Sequence, residues 1–226
     1  MTPVERPLNL GEVIAETIRV YGDRFRPAIG LGLVFGVVFV AVGFVPELIA
    51  IPLLALAMTA AWAAATRLVV GDGFGEAWGQ VAVRAPALLV FTLVAFLPFA
   101  LAVSQLVLIV FAVAWLALTG FAIPVAVAER PPDGRSFLHR LGFGLQRSIE
   151  LARVEYFHAV GVIAALVIAY LVFGFLLGAL LVGFAENGGL AAVALVQVVL
   201  APFFFLGLAV LYFDQRARAI SSRGRR

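Results

Sequence analysis

The sequence predicts an all-α integral membrane protein with six transmembrane helices, and three observations carry that prediction. The 226 residues are 64% hydrophobic and 13% charged, where soluble domains average roughly 45–50% apolar and about 25% charged residues. The mean hydropathy is +1.11, more apolar surface than a soluble fold of this length can hide. The few charges gather between long uncharged runs, each able to hold one or two helices of the ~20 apolar residues that cross a bilayer core.

Taken in order, "NLGEVIAETIRVYGDRF" sets Leu10, Val13, Ile14, Thr17, Ile18, Tyr21 and Phe25 on one helical stripe. Glu12, Glu16, Arg19, Asp23 and Arg26 fall elsewhere, the pattern of a helix lying in the membrane interface. Asn9 followed by Glu12 gives its start capping-box character. The first apolar run begins after Pro27, too late and too long for a secretory signal peptide. It reads as spans at about 27–45 and 48–68, with a tight turn at Pro46 and Glu47. "FGEAWGQVAVR" then forms a short second amphipathic helix, with Phe74, Ala77, Trp78 and Val81 aligned. Spans three and four follow at about 85–103 and 105–128, turning near Leu97 to Gln105. A third amphipathic helix, "SFLHRLGFGLQRSIELAR", aligns Phe137, Leu141, Leu145, Ile149 and Ala152. Spans five and six occupy about 156–184 and 189–213, separated by the turn sequence Glu186 to Gly189. The expectation is therefore one membrane domain over 1–213, built as three hairpins each preceded by an interfacial helix. An Arg-rich tail over 214–226 completes it.

All 16 basic residues are arginine. With six spans they fall on one side of the membrane, and the opposite turns carry only Glu47 and Glu186. Basic residues near span ends are retained on the cytoplasmic side, so both termini are expected in the cytoplasm of a bacterium, at its inner membrane. The net charge of +3 is thereby assigned to topology and not to nucleic acid. With no cysteine, thiolate catalysis, Cys-ligated zinc and iron–sulfur clusters drop out.

Little in the sequence suggests chemistry, and no cofactor or metal is implied. His139 and His158 lack a ligand pattern around them, and no phosphate-binding loop, nucleophile elbow or H-E-x-x-H is present. "GDGFG" (Gly71 to Gly75) reads as a turn. Gly32 with Gly36, and Gly174 with Gly178, form GxxxG patterns that permit close helix contact, either within the chain or across a homo-oligomer. Pro98, Pro124 and Pro202 lie in or near spans, where proline bends a helix and frees a carbonyl. Gln197, deep in span six, reads as a partner for an interhelical hydrogen bond.

Two acids stand out, because each closes a span where the helix carbonyl end disfavours negative charge by a few tenths to ~1 kcal/mol. These are Glu129 in "PVAVAER" and Asp214 in "LYFDQRAR". Arg218, one turn past Asp214, is a natural i,i+4 partner, and Arg147, Arg153 and Arg67 are the other cations expected to hold the two acids. Tyr212 and Phe213 read as anchors at the membrane interface.

In succession, these motifs resemble the glycerophosphoryl diester phosphodiesterase membrane-domain family. The opening helix matches at Pro7, Leu8, Leu10, Gly11, Glu12, Val13, Tyr21 and Phe25. The middle signature matches at Arg147, Ser148, Leu151, Arg153 and Phe157. The closing one matches at Leu211, Tyr212, Asp214, Arg216 and Arg218, with Phe213 where the family has a second tyrosine. The resemblance implies a membrane domain of about six helices, standing alone without the catalytic domain that gives the family its name. It carries no enzymatic label. The function expected is that of a non-enzymatic membrane module meeting lipids, anionic headgroups among them, or an unidentified protein through its arginines. The alternative is a transporter or lipid-translocating subunit, with a cavity near Gln197, Pro202 and Pro124.

Overall fold

The computed structural model describes residues 6–102, 108–129, 136–182 and 189–224. Among them the chain forms nine α-helices and no strand: α1 (Leu10–Asp23), α2 (Phe25–Val42), α3 (Glu47–Val70), α4 (Phe74–Ala102), α5 (Leu108–Thr119), α6 (Ala122–Ala128), α7 (Phe137–Val154), α8 (Tyr156–Val182) and α9 (Gly189–Arg223). Six stretches are long and apolar enough to cross a membrane: α2, α3, Phe74–Phe96 of α4, Leu108–Ala128 across α5 and α6, Tyr156–Leu181 of α8 and Ala192–Ser222 of α9. The protein is an all-α, multi-pass membrane protein. The turn expected near Leu97 to Gln105 is helix over its first part, because α4 runs through Pro98 to Ala102, and its remainder falls within 103–107; the turn expected between spans five and six falls largely on 183–188. Both segments lie outside the described residues, as do Arg130, Arg135, Arg225 and Arg226.

Local rules account for the first joints. Asn9 Oδ1 accepts from the Glu12 N–H at 2.9 Å, and Glu12 Oε2 accepts from the Asn9 N–H at 2.8 Å, so the capping box is complete. The chain breaks at Arg24, and Pro27 sits in the first turn of α2, where its missing N–H costs nothing. α3 ends on Gly71 at φ 115°, a left-handed cap that favours glycine.

Helix α1 carries three faces. Val13, Thr17 and Val20 are buried against the protein, while Glu12, Glu16, Arg19 and Asp23 lie on the far side. Between them Leu10 and Ile18 stand exposed, as does Phe25 at the start of α2, an apolar edge suited to the acyl boundary.

Three features depart from the expected boundaries. The second amphipathic helix is not separate, because α4 runs unbroken from Phe74 into span three. Ala77, Val81, Leu88, Phe91 and Ala95 form one continuous buried seam, and that packing carries the helix through Pro86. Span four, by contrast, is interrupted at Gly120 and Phe121. A Cβ on Gly120 would lie 2.5 Å from Trp62 Cη2, so the break lets the backbone approach a fully buried indole. Pro124 then falls in the first turn of α6, a starting position and not a kink. The tail, finally, is helix: α9 continues to Arg223, with Tyr212, Phe213, Asp214 and Gln215 all buried.

The centre of the bundle is α9, which packs against α1, α2, α3, α7 and α8. Within the spans, 56% of the α9 residues and 61% of those in α5 and α6 are buried, against 17% for α8, so α8 forms the outer, lipid-facing wall. The hairpin partners α2 and α3, α4 and α5, and α8 and α9 touch, and between hairpins α2 lies along α9 and α3 along α4. The helices therefore pack as one bundle.

Candidate functional site at the arginine-bearing helix ends

A connected set of polar contacts joins the ends of α1, α3, α6, α7, α8 and α9. It is built around the two acids singled out in the sequence. Asp214 is wholly buried. Its Oδ1 accepts from the Leu8 N–H at 2.7 Å. Its Oδ2 meets Arg218 Nε at 2.9 Å and His158 Nε2 at 3.0 Å. Arg218 returns to the Leu8 carbonyl and also pairs with Glu155. The extended segment ahead of α1 is thus held through both polar groups of one residue.

Glu129 closes α6 and has both oxygens engaged. Arg147 Nε approaches Oε2 at 3.2 Å, and the Tyr212 hydroxyl donates to Oε1 at 2.9 Å. Arg147 also reaches Glu150 at 3.3 Å, and Ser148 Oγ donates to the Leu118 carbonyl at 2.7 Å, fixing α7 across α5. Arg67 pairs with Asp72 at 2.7 Å and donates to the Val127 carbonyl at 3.3 Å.

The predicted residues therefore meet, though not in every expected pairing. Asp214 takes Arg218 and leaves Arg147, Arg153 and Arg67 alone. Glu129 takes Arg147. Arg67 turns to the local Asp72, and Arg153 is exposed with no carboxylate partner among the described residues. The premise that Asp214 ends a helix is corrected too, since α9 extends past it and the local dipole is that of a helix interior. Tyr212 and Phe213 are buried, not interfacial. His158, Glu155 and the Leu8 backbone were missed. One signal pointed to His158: it stands just inside one span and Asp214 near the foot of the next, and antiparallel neighbours bring such positions together.

Because Tyr212 is buried and donates to a carboxyl oxygen of a side chain also held by Arg147, the contact belongs to the stronger class of hydrogen bond, about 1.5–3 kcal/mol. Tyr212→Phe is expected to lower the thermal unfolding midpoint accordingly, while the same change at Tyr156, whose hydroxyl donates to the neutral Ala114 carbonyl at 3.0 Å, has the smaller effect.

Deeper in the bundle the polar groups join helices. Tyr170 donates to Gln197 between α8 and α9, Thr92 meets Thr59 between α4 and α3, and Trp115 Nε1 donates to the Val94 carbonyl at 2.7 Å. Pro202 lies against Gly32, and Gly36 also faces α9 there. A Cβ at Gly174 would make only ordinary contacts, and one at Gly178 would meet nothing within 4 Å among the described residues.

Among the cavities lined by described residues are two between the helices. One, of about 360 Å³, lies among α4, α6 and α7, with Phe91, Phe137 and Phe143 in its walls and Arg84, Arg140 and Glu129 as its charged groups. The other, of about 180 Å³, is apolar and lies between α2 and α3, with Trp78 at its edge. Neither touches Gln197, Pro202 or Pro124. Among the described residues no three His, Asp or Glu side chains converge as a metal site requires.

No family model matches the chain, and neither does any curated protein or solved structure.

Proposed function

We propose that this protein is a non-enzymatic membrane module whose arginine-bearing face gathers anionic lipid headgroups. One observation supports the reading above the others, namely the imbalance of charge on that face. Glu12, Glu16, Asp23, Asp72, Glu129, Glu150, Glu155 and Asp214 each have an arginine within 4 Å. Arg24, Arg26, Arg84, Arg153 and Arg216 have no carboxylate partner among the described residues. Opposite an anionic membrane surface, each such cation contributes roughly 1 kcal/mol of attraction. The exposed apolar edge of α1 sets that helix at the depth where headgroups lie.

The reading places the arginines at the cytoplasmic side of a bacterial inner membrane, by the retention of basic residues there. It also takes the chain as a member of the glycerophosphoryl diester phosphodiesterase membrane-domain family, on the order of its motifs. Transport is the second reading, and it has less support because neither cavity lies at Gln197, Pro202 or Pro124.

The test is direct extraction from membranes into polymer nanodiscs, with the co-extracted lipids quantified by mass spectrometry. Anionic phospholipid is expected above its bulk fraction around the wild type. The double variant Arg26→Gln, Arg153→Gln should reduce that excess. A lipid annulus of bulk composition around the wild type would overturn the proposal.

A further inference from the structure

We infer that the groove between α2 and α3 is a discrete seat for one acyl chain of a glycerophospholipid, with an ester carbonyl of that lipid accepting from the indole N–H of Trp78. No arginine takes part, so this site goes beyond the charge-based reading above. The residue that points to it is Trp78, in the second turn of α4. Its Nε1 is shut off from solvent and has no acceptor among the described residues. A buried donor left unpaired costs about 1–3 kcal/mol, and an indole in a membrane protein ordinarily sits where its apolar body meets a polar layer. The ring lines the groove. It meets Phe74 edge-on, with centroids 6.1 Å apart, and Phe74 is itself exposed. Both rings therefore sit at the rim and not in the core, and a small turn of the pair presents the N–H to a group entering the groove.

Shape and depth identify the occupant. Among the described residues the other lining side chains are all apolar, from Leu31 to Val38 along α2 and from Leu53 to Ala61 along α3. At 1.5 Å per residue that is about 10–12 Å of each helix. Both helices are membrane spans, and Val34 and Leu53 at the rim are exposed, so the groove opens sideways to lipid. Trp78 marks one end of it. A Cβ at Gly30, the residue before Leu31, would lie 3.1 Å from the Phe74 ring. The donor thus stands at the end nearer the arginine-bearing helix ends, and the rest of the groove runs toward the middle of the bilayer. One donor at the headgroup end of an apolar slot matches a chain attached through an ester. The volume, about 180 Å³, lies below the roughly 300–1,000 Å³ of drug-sized ligand sites, and suits a segment of one chain and not a whole lipid.

The test is native mass spectrometry of the full chain in detergent, titrated with dioleoyl phosphatidylcholine and with its diether analogue, which keeps the chains and headgroup but lacks the ester carbonyls. One diester adduct is expected at about fivefold lower concentration than the diether, the size of one neutral hydrogen bond. Trp78→Phe should remove that difference by weakening the diester alone. Ala57→Phe, which fills the groove, should lose both adducts, whereas Leu176→Phe on the exposed face of α8 should keep both. A wild type that binds the two lipids equally, or an ester preference that survives Trp78→Phe, would overturn the site. Adducts untouched by Ala57→Phe would put the lipid elsewhere, and equal loss in Leu176→Phe would make the binding diffuse; either overturns it as well. The arginines are untouched by all of these outcomes, since their test is the excess of anionic lipid.

Discussion

Replacing Asp214 by alanine is expected to cost roughly 3–5 kcal/mol, the usual penalty for removing one partner of a buried ion pair. The carboxylate is entirely buried and serves three donors on three separate segments: the Leu8 N–H, His158 and Arg218. Its loss leaves Arg218, whose side chain is only 14% exposed, with the half-exposed Glu155 as its remaining carboxylate among the described residues, and leaves the Leu8 N–H without an acceptor. Asp214→Asn should cost less, because an amide oxygen still serves Leu8 while the charge attraction goes. The measurement is thermal unfolding in detergent, followed by tryptophan fluorescence. A double variant, Asp214→Leu with Arg218→Met, separates attraction from packing. If the single losses come mainly from stranded charges, the double variant should be more stable than their sum predicts. Wild-type midpoints for both single Asp214 variants would sink this account of the helix ends.

How far the sequence foretold these helix ends depends on the distance between partners. Asp214 and Arg218 lie one turn apart on one helix, so spacing alone suggested them. His158 is 56 residues from Asp214 and Leu8 is 206 residues away; only the packing of α8 and α1 on α9 makes them neighbours. The number of spans was legible because hydropathy is summed over ~20 residues and tolerates local error. Breaks were harder, since each is decided by a contact elsewhere. Arg84 and Pro86 look like a helix boundary, but the buried seam from Ala77 to Ala95 overrides them. Gly120 looks like one more residue in an apolar run, and Trp62, distant in sequence, decides the break. Tyr212 was misassigned for a related reason. Aromatic residues at a span's end are anchors when that end meets lipid, whereas α9 is enclosed on several sides. The cavity among α4, α6 and α7 drew no signal at all, for its walls come from three helices and its arginines read as topology markers.

The two GxxxG patterns are alike in sequence and opposite in setting, so they should respond oppositely to alanine. Gly32 faces α9 where Pro202 interrupts the hydrogen-bond ladder. Proline has no N–H to give the Val198 carbonyl, and that carbonyl lies against Gly32, where a weak Cα–H contact of about half a usual hydrogen bond can form. A Cβ at Gly32 would stand 2.7 Å from Pro202 Cγ and 2.8 Å from the Val198 carbonyl carbon. Backbone cannot yield as a side chain does, so α2 must move off α9. Gly32→Ala is therefore expected to lose about 1–3 kcal/mol or more. At Gly36 the nearest atom is a Val198 methyl at 3.0 Å, which can rotate, and the loss should be smaller. At Gly178 nothing lies within 4 Å, and alanine should be neutral or gain up to ~1 kcal/mol from helix propensity. Unfolding midpoints in detergent should thus rank Gly178→Ala above Gly36→Ala above Gly32→Ala. Equal stability of the Gly32 and Gly178 variants would remove the close α2–α9 contact from the fold. A large loss at Gly178 would instead mean that this face of α8 is covered, since among the described residues nothing lies within 4 Å of the new methyl group.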